Sequence, residues 1–162
     1  MGRPRPWNVL FLCTANSARS ILAEHLLRAR AGDRFATWSA GSQPRGVVNP
    51  HALAVLAQDY GIDTRDARSK SIEDVGDVPF DLVVTLCDDA RESCPLPPPG
   101  ALLVHWGMPD PAAVAGDDAD RRSAFRDAAR TIERRLSALC ALPLETLATP
   151  ARRAALEAIA DR

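Results

Sequence analysis

Short apolar runs alternate along this chain with longer stretches in which apolar residues recur every three to four positions. Val9-Leu10-Phe11-Leu12 is continuously apolar, the pattern of a strand covered on both faces. Leu22, Ala23, Leu26, Leu27 and Arg30 follow at helical spacing, with Glu24 and Arg28 placed one turn apart for a surface ion pair. Phe35 to Ala40 predicts a second strand ended by Gly41, and Asn49-Pro50 supplies the cap and first-turn proline of a helix that stops before Gly61. Phe80 to Leu86 predicts the strongest strand and Ala101 to His105 a weaker fourth. Phe125, Ala128, Ile132, Leu136 and Leu139 mark a long amphipathic helix within Asp118 to Leu139, and Thr149-Pro150 opens a short last one.

Strands alternating with helices predict an α/β fold: one domain over residues 1–162, with a four-stranded parallel sheet, helices on both faces and a short C-terminal helical extension. A chain of 162 residues, 46% hydrophobic, can bury one substantial core but not two. Ligands of such sheets sit at the carboxyl ends of the strands. Here those ends deliver Cys13 after the first strand and Cys87 after the third.

Twenty basic residues against twenty-one acidic ones leave no global field to recruit nucleic acid or an anionic membrane. The apolar run near the N-terminus is too short for a secretory or spanning segment, so a cytoplasmic protein is expected. Cysteines at 13, 87, 94 and 140 are too few and too irregular for a disulfide scaffold; Cys140, at the end of the long helix, is expected only to pack. His25, His51 and His105 lack metal-ligand spacing, and no metal site is expected.

The segment Cys13-Thr14-Ala15-Asn16-Ser17-Ala18-Arg19-Ser20 has the form C-x5-R. A bare C-x5-R usually means a buried thiol and an unrelated surface arginine. This one lies between a buried strand and a helix start, where successive backbone N–H groups can wrap a tetrahedral oxyanion. Residues 14–20 are therefore the expected anion-binding loop, with Arg19 adding a two-pronged donor. The same field favours the thiolate of Cys13 as a nucleophile, and Ser20 can donate to it. Ala15 stands where a conformation with positive φ would be costly, so the loop must avoid that conformation there or absorb the strain.

VLFLCTANSARS resembles the phosphate loop of low-molecular-weight tyrosine phosphatases and their arsenate reductase relatives. The resemblance continues through Ser39-Ala40-Gly41, Arg68-Ser69-Lys70-Ser71, Phe80-Asp81-Leu82-Val83, Cys87-Asp88 and His105-Trp106-Gly107-Met108-Pro109-Asp110-Pro111. It covers a core of about residues 8–140 and leaves an extension of about 141–162.

The resemblance implies reduction of arsenate, with phosphate as a competing anion. Cys13 would attack arsenic, Asp110 would act as general acid, and Cys87 and Cys94 would carry a disulfide relay. Each has a plainer reading: Asp110 as a turn former before Pro111, Cys87 as a core thiol, Cys94 as an ordinary loop residue. No tightly bound cofactor is implied; an external thiol reductant, thioredoxin or glutathione with glutaredoxin, would visit transiently. Some such reductases hold potassium beside the loop, and Asn16, Glu24 and Ser39 resemble residues of that site. Phosphate-monoester hydrolysis through a phosphocysteine at Cys13 is the alternative, but aromatic residues that grip a phenyl ring are missing after Asp110, and the chain has only Tyr60.

Overall fold

The structure is a computed structural model and describes residues 5–88 and 100–162. Its sheet has four parallel strands: β1 (Trp7–Cys13), β2 (Phe35–Gly41), β3 (Leu82–Thr85) and β4 (Leu102–His105), in the order β2-β1-β3-β4. The chain goes from β1 to one neighbour, β2, and then crosses to the other, β3. That reversal is the switch point at which such sheets open a crevice beyond the strand ends. Leu12 pairs with Thr85, so Cys13 and Cys87 leave the sheet side by side there.

Among the described residues the helices are α1 (Arg19–Ala31), α2 (Pro50–Ala54, continued by a π-helical turn over Val55–Asp59), the one-turn α3 (Ile72–Val75), α4 (Asp118–Ala141) and α5 (Thr149–Ala158). Asn49 caps α2 through its side chain, and Asp117 and Asp120 form a reciprocal capping box at the start of α4. A similar box between Ser71 and Asp74 stabilises α3, whose four residues are too few to show a period in the sequence.

The two faces of the sheet are covered unequally. Val9, Phe11, Leu82 and Val84 point into the main core, which α1, α4 and α5 fill with Ile21, Leu22, Phe125, Leu136 and Leu156. On the opposite face Leu10, Leu12, Val83 and Phe80 meet Ile72 and Val75 of α3. The continuous apolar run of β1 thus serves both faces. Helices were expected on both faces; among the described residues the second face carries only α3. Glu24 also departs from expectation: it is buried, not a surface residue, at 5% exposure.

Candidate active site

The loop 14–18 joins the C-terminal end of β1 to the N-terminus of α1, and its carbonyls are pinned outward. Thr14 O accepts from Gln43 N (2.9 Å), Ala15 O from Arg45 N (2.9 Å) and Ser69 Oγ (3.1 Å), and Ser17 O from Asn49 N (2.9 Å). A trans peptide points its C=O and N–H in opposite directions. The N–H groups of residues 15, 16 and 18 are therefore turned away from those partners. Ala18, at the cap position of α1, makes no side-chain cap, so the helix start keeps its donors for an incoming anion. The one non-glycine residue with positive φ among the described residues is Asn16 (φ 45°), not Ala15; asparagine tolerates that region better than alanine does.

Asn16 is fully buried and works in two directions: its Oδ1 accepts from Lys70 N (2.7 Å), and its Nδ2 donates to Ser20 Oγ (2.7 Å). Ser20 Oγ lies 2.7 Å from Cys13 Sγ. With the oxygen already accepting from Asn16, the hydroxyl proton is free to donate to sulfur. Gly41 passes so close behind the loop that a Cβ there would lie 2.5 Å from Thr14 O and 3.0 Å from Asn16 N, both backbone atoms.

On the far side of the bowl Arg19 donates to Met108 O (3.1 Å), and its other terminal nitrogen is 3.8 Å from Asp110 Oδ2. Asp110 does form a turn, since its Oδ1 accepts from Ala112 N (2.9 Å) ahead of Pro111–Ala113. That leaves Oδ2, on a carboxylate 41% exposed, facing Arg19 and the loop. Cys87, 8% exposed, places Sγ 3.2 Å from Thr14 Oγ1, on the residue next to Cys13. Cys94 lies outside the described residues.

The residues that suggested a potassium site do not fit one. Glu24 Oε1 receives Ser39 Oγ at 2.5 Å and faces Lys70 Nζ at 3.5 Å, while Lys70 Nζ also reaches Ser39 Oγ (3.4 Å) and Arg68 O (3.0 Å). The Lys70 ammonium stands where an added cation would stand, and Arg28 neutralises Glu24 from the other side (2.8 Å). Beside this cluster, burial pushes the His25 imidazole below its usual pKa, with Glu24 opposing. The resemblance already groups Glu24 with Ser39, but only the fold shows that Lys70 joins them. Among the described residues no group of three or more His, Cys, Asp or Glu is placed to hold a metal ion, and no helix is long and apolar enough to cross a membrane.

The family model for low molecular weight phosphotyrosine protein phosphatase matches residues 8–151. The chain belongs to this family. Within it, the chain is similar to the arsenate reductases of Halalkalibacterium halodurans and of Bacillus subtilis (strain 168), each 38% identical over 128 residues, which cover 79% of this chain and 91% of the relative. A solved thioredoxin-dependent arsenate reductase from Corynebacterium glutamicum aligns at TM-score 0.63 and 26% identity, over 85% of this chain and 61% of its own. The low molecular weight protein tyrosine phosphatase from T. tengcongensis shares the fold at TM-score 0.69 and 23% identity, over 83% and 97% of the two chains.

Proposed function

We propose that this chain is an arsenate reductase that draws its two electrons from its own thiols and is restored by thioredoxin. The observation that carries the reading is Cys87 Sγ held 3.2 Å from Thr14 Oγ1, at the rim of the loop that bears Cys13. Phosphate-ester hydrolysis needs no second thiol for its chemistry, and Cys87 would there only protect Cys13 by a reversible disulfide, whereas reducing As(V) to As(III) needs one. The relatives named arsenate reductase and the thioredoxin-dependent structure point the same way.

In this mechanism the anion binds against the amides of residues 14–18, Arg19 and the start of α1. The Cys13 thiolate attacks arsenic, and the departing oxygen takes a proton from Asp110 Oδ2 and leaves as water. Cys87 then attacks the Cys13 sulfur; the S–As bond pair stays on arsenic, arsenite departs, and a Cys13–Cys87 disulfide remains. Cys94 attacks Cys87, freeing Cys13, and a thioredoxin dithiol reduces the Cys87–Cys94 bond. Glutathione with glutaredoxin is the other donor that could perform the last step.

Hydrolysis of phosphate monoesters by Cys13, Arg19 and Asp110 is the competing reading, and the family matched over residues 8–151 takes its description from that activity. Cys87→Ser separates the two. It is expected to abolish arsenate turnover while leaving aryl-phosphate hydrolysis within about twofold, because the thiol is needed only after the adduct forms. Unchanged arsenate turnover in that variant would refute the proposed reductase mechanism.

A further inference from the structure

The loop that carries Asp110 is anchored at its base by the buried Trp106, and beyond it Gly107 to Asp110 are half-buried or exposed. Between this loop and α4 lies an open cleft of about 290 Å³, lined among others by Met108, Asp110, Pro111, Thr131 and Arg135. Trp106 N donates to Thr85 O (2.8 Å) and Met108 N to Leu86 O (3.1 Å), and α4 adds a further set of polar bonds from behind.

Arg135, on α4, is 6% exposed, and its three bonds all go to main-chain carbonyls: Trp106 O (2.7 Å), Gly107 O (3.1 Å) and Ala160 O (3.0 Å). Its Nε is buried without a partner among the described residues. Burial lowers its pKa, and Asp161 offsets that only in part. A buried guanidinium bonded only to carbonyls is costly, and an apolar residue would fill the space at less cost. What it does is join two segments. Ala160 belongs to the last turn of the chain, beyond the residues matched by the family model. The same tail accepts from Trp106 Nε1 through Leu156 O (2.9 Å). Trp106 and Gly107 lead directly to Met108, whose carbonyl holds Arg19, and then to Asp110.

We propose that Arg135 is a positioning residue for Asp110, clasping the Trp106–Gly107 backbone to the C-terminal turn so that the tail sets where the carboxylate stands. The proposal deepens the reading above and rests on Asp110 being the proton donor.

The test compares aryl phosphates with good and poor leaving groups in Arg135→Met, Arg135→Lys and Asp110→Asn. A poor leaving group needs the proton and a good one does not, so the ratio of their kcat values reports on the acid and not on general stability. Arg135→Met is expected to raise that ratio about tenfold, toward the Asp110→Asn value, with KM changed less than about twofold. Equal loss on both substrates, or an unchanged ratio, overturns the proposal. Should the methionine variant fail to fold, the lysine variant decides: it can keep one carbonyl but not span all three, and a ratio about threefold above the unmodified protein supports the clasp, while an unchanged ratio overturns it. If Asp110→Asn itself leaves the ratio unchanged, the proton-donor reading fails and takes the clasp with it. If only the Arg135 variants leave it unchanged, the clasp alone fails.

Discussion

Ser20 Oγ accepts from Asn16 Nδ2, which leaves its hydroxyl able to donate to Cys13 Sγ, a donor already in place when the anion arrives. Ser20→Ala should therefore lower kcat/KM for an aryl phosphate at pH 7 by about tenfold, the worth of one hydrogen bond to a charged group; an unchanged value would mean that Ser20 does not serve the sulfur. Gly41 acts by being small. In Gly41→Ala the new methyl meets Thr14 O and Asn16 N, backbone that can give way only by moving the bowl. The expected result is a loss of about 100-fold in kcat/KM with the fold retained by circular dichroism. Cys13, Arg19 and Ser20 were legible in the sequence because the loop is contiguous and its spacing is the motif. Lys70 was not, because its meaning lies in standing 3.5 Å from Glu24, a residue forty-six positions earlier that looked solvent-exposed.

Among the elements, β1 and α4 were plain in the sequence, since a run apolar at every position and a long 3.6-residue period each allow one reading. The strand expected from Phe80 is shorter, because Phe80 N turns back to Val78 O and the ladder starts only at Leu82. The extension was legible as a short helix but not as a brace. Glu145, just ahead of α5, accepts from Trp7 Nε1 at 3.0 Å and Arg34 Nε at 3.2 Å, which ties the tail to β1 and to the start of β2. The indole bond first, with help from Arg34, holds its carboxyl down to about 2 from an ordinary value of 4.5. A carboxyl depressed on folding adds stability that is fully present above pH 4.5 and disappears as pH falls through about 2. Glu145→Gln should cost about 1–2 kcal/mol at pH 7, a drop of about 3–6 °C in Tm. The difference from the unmodified protein should shrink as the melt is repeated toward pH 2, and a pH-independent difference would refute the ionic account.

At the scale of the molecule, the order β2-β1-β3-β4 converts two separate sequence features into one site. Cys13 ends β1 and Cys87 follows β3 at the switch point; the loop that carries Asp110 comes in from the side after β4; and Arg135 of α4 bonds to its Trp106–Gly107 backbone and to the tail. The strand ends were foreseeable, but the contact between Thr14 and Cys87 was not, since it depends on register and not on pattern. The measurement that tests this arrangement most directly is arsenate-dependent NADPH oxidation by the purified protein with thioredoxin and thioredoxin reductase. A parallel series uses glutathione and glutaredoxin. Turnover with thioredoxin is expected, and it is lost in both Cys13→Ser and Cys87→Ser. Lack of arsenate-dependent oxidation with either donor, together with aryl-phosphate hydrolysis that survives Cys87→Ser, would contradict the reductase reading and leave a phosphatase.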